Sequence, residues 1–266
     1  MASSDTLYHY TDSNGLLGIL GHMKLWMTHH SFLNDSREIE YGMSLVEKVA
    51  KRLKHKLPHD SFAQWQTQFS DGKFFTSDQD YILCFSTQRD QLSQWRAYSD
   101  DGTGFCIGFD RKLLEKTAGK LGWCDGPVEV VYKRSAQIKM LEACISDGLI
   151  ESEVGLLEIW DLLMAECAAR FKSDAFSEES EWRMRTLFVD EPESHDKTLS
   201  PTMHFRSTKY GIAPYVEFPF PRRALSEIVV GPKSPMRKKH WVLNRLLQSA
   251  KITRRIKIRN STASYR

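Results

Sequence analysis

Apolar residues recur along most of the chain with a period of either two or 3.6, and the switching between these periods predicts a succession of short strands and helices. Residues 7–11 read as a first strand, and 14–20 as a brief helix with Leu16, Leu17 and Leu20 turned inward and Gly21 as its stop. Residues 25–28 resume as a strand with Trp26 on one face. After Phe32-Leu33-Asn34-Asp35, the residues Ile39, Met43, Val46, Ala50 and Leu53 fall at helical spacing, and Asp35 and Glu38 have the spacing of a capping box. Residues 54–80 are polar and broken by Pro58, with Phe62, Trp65 and Phe69 marking a short peripheral helix. Strands are expected at 81–85, 105–109 and 128–132, the first two separated by Trp95, Arg96 and the turn former Asp101-Gly102.

The longest helical pattern covers 153–171, where Val154, Leu157, Trp160, Met164, Cys167 and Phe171 form an apolar stripe that reads as core. Strands follow at 182–189 and 215–218, and 225–230 runs into the stop Gly231-Pro232. Pro235 opens a helix that offers Trp241, Leu243 and Leu247 for packing. In the last segment Ile252, Ile256 and Ile258 share one parity, while Thr253, Arg255, Lys257 and Arg259 share the other, the pattern of a half-buried strand with a basic outer face. Strands and helices without a regular βαβ repeat predict an α+β fold and exclude a Rossmann domain. Gly102-Thr103-Gly104 lacks the glycine spacing of a dinucleotide fingerprint, and there is no phosphate-loop lysine motif. We expect one domain over 1–266, with 54–80 a peripheral insertion and 228–266 a basic C-terminal part of the same core.

Composition narrows the classes. With 266 residues and 41% apolar content the chain can bury a substantial core. No apolar run approaches the roughly 20 residues needed to span a bilayer, and the opening residues lack the pattern of a secretory signal. Five well-separated cysteines, Cys84, Cys106, Cys124, Cys144 and Cys167, suggest buried thiols in a reducing cytoplasm rather than a disulfide framework or zinc knuckle. No metal is expected, because the histidines form no HExxH pattern and His29-His30 are adjacent. The net charge of +3 hides a division: residues 1–227 hold all 34 acidic residues against 26 Lys and Arg, whereas the last 39 hold 11 basic residues and no acid. That segment reads either as a surface for RNA, DNA or a polyphosphate, with Arg255, Lys257 and Arg259 as contacts, or as a solvated face balancing an acidic body.

Three polar clusters carry the candidate chemistry. His9-Tyr10-Thr11, Gln94-Trp95-Arg96 and Glu178-Glu179-Ser180-Glu181-Trp182-Arg183 supply imidazole, guanidinium, aromatic and carboxylate groups, which suit a charged, ring-bearing ligand such as a nucleotide. Arg96 is suited to a pyrophosphate or to an ion pair with Asp90 or Asp100; Trp95 to packing or to stacking. If a strand already runs from 178, Glu179 and Glu181 share one face. Glu181 is then either a functional carboxylate or the surface partner of Arg183. His9 is a hydrogen-bond donor to a ribose hydroxyl or a core histidine. Arg206 and Tyr210 form a further polar pair, and Asn34 follows the second strand.

The segments Leu7-Tyr8-His9-Tyr10-Thr11, Phe32-Leu33-Asn34-Asp35, Cys84-Phe85-Ser86 with Leu92-Ser93-Gln94-Trp95-Arg96-Ala97-Tyr98, Gly104-Phe105-Cys106-Ile107-Gly108-Phe109 and Glu179-Ser180-Glu181-Trp182-Arg183 together resemble the bacterial DUF2971 family, whose name supplies no reaction. The opening His-aromatic-Thr strand, short helix and Leu-Trp strand also resemble the start of ADP-ribosyltransferases. That resemblance implies a split mixed β-sheet core with peripheral helices and NAD as co-substrate. It further implies His9 and Glu181 as catalytic residues, with Glu179 the alternative. His9, Tyr10, Thr11, Asn34, Tyr41, Trp95 and Arg96 would bind NAD, with Tyr41 ahead of Trp95 and Tyr10 as the residue against nicotinamide. Arg183, Arg206, Tyr210, Arg255, Lys257 and Arg259 are candidates for substrate contacts. The expected activity is NAD-dependent ADP-ribosylation of a macromolecule, RNA or DNA first and protein second. The alternatives are a non-catalytic nucleic-acid or nucleotide-binding protein, an NAD-dependent RNA 2′-phosphotransferase and an NAD glycohydrolase.

Overall fold

A computed structural model describes residues 5–33, 37–56, 80–150, 170–187, 201–208 and 211–265. Residues 57–79 of the expected insertion and 153–169 of the expected long helix lie outside this set, as do Asn34, Asp35 and Tyr210. The chain divides into two compact units, one made of residues 1–29, 79–128 and 179–266, the other of 30–78 and 129–178.

The first unit is α+β. Its chain order is β1 (Thr6–Thr11), α1 (Ser13–His22) and β2 (Lys24–His29) in the opening segment, with α2 (Arg37–Leu53) belonging to the second unit. Next come β3 (Asp80–Ser86), α3 (Leu92–Tyr98), β4 (Phe105–Asp110), α4 (Arg111–Leu121) and the two-residue β5 (Val128–Glu129); α5 (Arg134–Ile150) again belongs to the second unit. The last segment holds β6 (Glu181–Leu187), β7 (Met203–Thr208), β8 (Gly211–Pro219), β9 (Leu225–Val230), α6 (His240–Ser249) and β10 (Lys257–Asn260). The strands form a mixed sheet in the order β10-β9-β4-β1-β3-β2-β8-β7, with β6 branching from β3. Only β10 and β9 run parallel among these pairs.

Alternation places the side chains. On β1, Leu7 enters the main core, while Tyr8 and Tyr10 join a smaller cluster with Trp95, Cys106 and Val229 on the other face. On β2, Leu25 and Met27 are fully buried and Trp26 is 37% exposed. The main core gathers Leu83 and Phe85 of β3, Phe109 of β4, Leu16 and Leu20 of α1 and Leu114 of α4. Leu243, Leu247, Ile252 and Ile256 complete it, so the apolar side of the basic segment is core. Each such side chain contributes about 1.5–3 kcal/mol by leaving water.

Several expected elements differ in extent. Helix α1 passes through Gly21 and stops at Met23, whose left-handed backbone (φ 54°) lets its N–H reach Ile19 O; Asp12 caps the other end by accepting from Gly15 N at 2.7 Å. The stretch around Trp95 is helical, and α4, not anticipated, starts at the Asp110 cap and ends at Gly122 (φ 73°). Pro235 opens a single 3₁₀ turn (Pro235–Lys238), and α6 begins only at His240. Trp241 is 68% exposed rather than packed. β10 spans four residues, because Thr253, Arg254 and Arg255 lie before the parallel pairing with β9 begins.

In the second unit Leu45, Val46, Val49, Ala50 and Leu53 form the buried stripe of α2, and Leu141 is buried on α5. Buried Gln137 donates to Val131 O at 2.6 Å and Lys172 O at 2.9 Å and accepts from Tyr41 Oη at 2.9 Å.

Candidate active site

Three strands compete for β3. Along one edge it pairs with β6 from Asp80–Leu187 to Ser86–Glu181. The other edge is shared: β1 meets it at Tyr8–Ser86, and β2 at Thr28–Ile82 and His29–Tyr81. Cys84 falls between these two stretches, where β1 and β2 diverge. There its carbonyl meets the imidazole of His9, Nδ1 to O at 3.0 Å. A carbonyl only accepts, so Nδ1 carries the proton and Nε2 of the neutral ring keeps its lone pair. Burial pushes the His9 pKa down, the Cys84 bond opposes this in part, and the positive charge of Arg206 adds to the lowering. His9 is therefore a neutral acceptor at its second nitrogen, which corrects the expectation of a donor to a ribose hydroxyl.

Glu181 opens β6 opposite Ser86. Arg183, on the same strand face, grips its carboxylate with both prongs, Nε to Oε1 at 2.8 Å and Nη2 to Oε2 at 3.0 Å. Both residues are buried, at 5% and 3% exposure, so this is neither a surface pair nor a substrate arginine: Arg183 holds Glu181. Glu179 does not share a strand with Glu181. It ends a 3₁₀ turn, Ser180 adopts a left-handed conformation (φ 45°), and the strand starts at Glu181. The kink, not strand parity, turns both carboxylate residues toward one cavity. Ser86 Oγ donates to Glu179 O at 2.6 Å and Thr87 N to Ser180 O at 3.0 Å, which fixes that kink to the end of β3.

His9, Tyr10, Glu179 and Glu181 line a cavity of about 70 Å³ with Gln94 and Tyr98 of α3. His9, Tyr10 and Tyr98 also line a larger adjoining cleft of about 730 Å³, whose other walls include Thr11, Asp12, Trp26, Thr28 and Arg206. Arg206 donates to Thr28 Oγ1 at 2.9 Å, lies 5.3 Å from the Trp26 ring centre and leaves its buried Nε without a partner. Burial lowers its pKa from a very high ordinary value, so it stays charged. The Trp26 ring also packs on Tyr215, centroids 4.6 Å apart.

The other expected contacts go elsewhere. Trp95 is fully buried, its ring edge-on to Tyr10 and its Nε1 bonded to Asp90 at 2.7 Å, so it cannot stack on a ligand. Arg96 points over Tyr265 and lines neither cavity. Tyr10 spends its hydroxyl on Gln88 O (2.7 Å) and Gln91 N (3.0 Å), leaving only its ring to the cavities. Tyr41 lies in the second unit, bonded to Gln137. Arg255 and Lys257 are exposed, and Arg259 is paired with Glu227 at 3.0 Å. Gln94, from one of the three expected polar clusters, is a cavity residue, whereas Asp12, Tyr98 and Trp26 are cavity residues not anticipated in that role. For Trp26 a signal existed, since it alternates with the core residues Leu25 and Met27. Among the described residues, no cluster of His, Cys, Asp and Glu is arranged to hold a metal, and no helix is long and apolar enough to cross a membrane.

The DUF2971 family model, a protein of unknown function, matches residues 94–184, from Gln94 to just past Arg183, and the resemblance read from the sequence holds over that span. No curated protein matches the chain. Two solved structures are similar. Thermus sp. 2.9 DarT in complex with NAD+ has 13% identity over 97% of this chain and 96% of that chain, with a TM-score of 0.33. Thermus sp. 2.9 DarT in complex with ADP-ribosylated ssDNA has 14% identity over 97% and 94%, with a TM-score of 0.34. At such scores neither likeness bears on the chemistry of this chain.

Proposed function

We propose that this protein is an NAD-dependent ADP-ribosyltransferase with Glu181 as its catalytic carboxylate and His9 as a ligand-positioning acceptor. One observation carries the reading: a neutral histidine and a buried, arginine-gripped carboxylate, 172 positions apart in sequence, line one cavity where the sheet splits. The adjoining cleft supports it, since Arg206 supplies an incompletely satisfied guanidinium for a pyrophosphate and Trp26 an aromatic wall.

In the reaction the bond between the ribose anomeric carbon and nicotinamide breaks, and its electron pair leaves with nicotinamide. Positive charge grows on the ribose, an acceptor nucleophile bonds to the anomeric carbon, and the acceptor's proton goes to solvent. A carboxylate beside the sugar stabilises the developing charge, and the Arg183 grip keeps it aimed without reorganisation. Nε2 of His9 accepts from a ribose hydroxyl.

The test is to incubate the protein with NAD and separate pools of single-stranded DNA, RNA and protein, following nicotinamide and acceptor mass. Covalent ADP-ribose on one pool supports transfer. Nicotinamide with only free ADP-ribose would instead indicate a glycohydrolase. No nicotinamide release by the folded protein with any pool overturns the reading.

A further inference from the structure

The helical wall shared by the two cavities is tied down at both ends by one segment, Ser261–Tyr265, which follows β10. At the leading end, Asp90 accepts from Trp95 Nε1 (2.7 Å), Ser261 Oγ (2.5 Å), Thr262 N (2.6 Å) and Thr262 Oγ1 (2.7 Å). A carboxylate has about four lone-pair positions, so these donors saturate it and leave nothing for a ligand. At the trailing end, Tyr265 Oη bonds to Asp101, and the Tyr265 ring sits under Arg96 and Lys233, 5.9 and 4.7 Å from their charged groups.

Between these anchors lie α3, with cavity residues Gln94 and Tyr98, and the turn Asp100–Gly102. All three turn residues have positive φ (47°, 50° and 83°), a conformation that costs energy at the two aspartates and persists only where neighbours impose it. A Cβ on Gly102 would come within 3.2 Å of both Tyr265 and Pro232. At the other anchor, the Gln88–Gln91 loop that carries Asp90 also brackets the Tyr10 hydroxyl, and Ala263 packs on the Tyr8, Tyr10 and Trp95 cluster. The segment is thus linked through two successive hydrogen bonds, to Asp90 and on to Trp95, and one ring contact to Tyr10, the residue next to His9.

We propose that Ser261–Tyr265 is a strap that sets the position of the helical cavity wall, with Asp90 as its positioning residue. Burial works to raise the Asp90 carboxyl, and the bonds from Ser261, Thr262 and Trp95 more than offset it, so the group is held below its ordinary range and stays an acceptor. The consequence for turnover rests on the ADP-ribosyl-transfer reading; the mechanical part does not.

Asp90→Asn replaces one acceptor oxygen by a donor, which faces an existing donor whichever way the amide turns. Hydrogen exchange of the NAD-free protein should show the amides of 88–102 exchanging about tenfold faster in Asp90→Asn, with β4 and β9 unchanged. Thr262→Val, which loses only the hydroxyl bond, should give about a threefold increase at the same amides, and Thr262→Ser should restore the wild-type rate. This pair decides the matter if Asp90→Asn does not fold. Unchanged exchange at 88–102, or equal acceleration throughout the sheet, overturns the strap. In nicotinamide release, Thr262→Val should raise KM for NAD about threefold with kcat within about twofold. Wild type without turnover removes the proposed reaction and leaves the exchange result to stand or fall alone.

Discussion

Two regions of this chain look equally chemical as bare sequence: the His9 and Glu181 clusters, and the basic segment after Glu227. The fold treats them differently. Around His9 it uses one ring nitrogen and leaves the other. Around Glu181 it uses one arginine to aim a carboxylate into a cavity. In the basic segment it spends several of the cations on structure. Arg259 binds Glu227, Arg254 donates to Arg223 O at 2.9 Å, and Arg237 donates to Ser261 O at 3.0 Å. A charged side chain is available for function only to the extent that the fold leaves its bonding capacity unspent, and a count of charges does not reveal this.

The largest effect that would sharpen this contrast is at Glu181. Glu181→Gln should keep hydrogen bonding to Arg183 in part but lose the charge, lowering the rate of nicotinamide release about 10²-fold at saturating NAD. An equal rate in a folded variant would remove Glu181 from catalysis. In the basic segment the large effect should come from its apolar side: Ile256→Ala deletes a core residue and should cost about 2 kcal/mol or more in urea unfolding. Arg206→Ala should raise KM for NAD about tenfold, through loss of a partly buried guanidinium, with a smaller change in kcat.

His9 should leave a trace in the pH dependence of stability. Its folded pKa lies below the unfolded value of 6.5, so the unfolded chain binds the extra proton first. Stability is therefore fully present above that value and falls as pH drops below it, by no more than about 1.4 kcal/mol per pH unit. His9→Gln should lack this increment when unfolding is compared at pH 7.5 and 5.5; identical pH dependence would contradict the half-buried neutral ring. The smallest effect is expected from Arg255→Ala with Lys257→Ala. Exposed and away from the described cavities, they should change stability by under about 0.5 kcal/mol. A loss of nucleic-acid affinity with a reduced salt slope would restore the basic face as a binding surface.

Much of the sheet was legible locally. The strands expected at 7–11, 25–28, 105–109 and 225–230 appear within a residue at each end, because short apolar runs bounded by turn residues report a strand whether one face is buried, as in β2, or both, as in β4. Helix α3 was not legible. Leu92–Tyr98 is only seven residues, too short for periodicity to show, and its burial comes from Tyr10 and from Asp90, itself held by Ser261 and Thr262. The lining of the candidate site was half legible. His9, Tyr10, Thr11, Glu179, Glu181 and Arg206 line the cavities, but Trp95 and Arg96, adjacent in sequence to Gln94, turn respectively into the core and out over Tyr265.

The sequence by itself determined which residues alternate, which face of the 252–258 segment is apolar, and which titratable groups were on offer, since these depend on side-chain type and near-neighbour spacing. The tertiary structure alone decided that β1 and β2 part along one edge of β3, because strand register is set by partners that are distant in the chain. From that parting follows the bond between His9 and Cys84, 75 residues apart, and with it the protonation of the ring. It also decided that the Glu181–Arg183 pair is buried, because desolvation depends on what the rest of the chain packs around a charge and not on the charge itself.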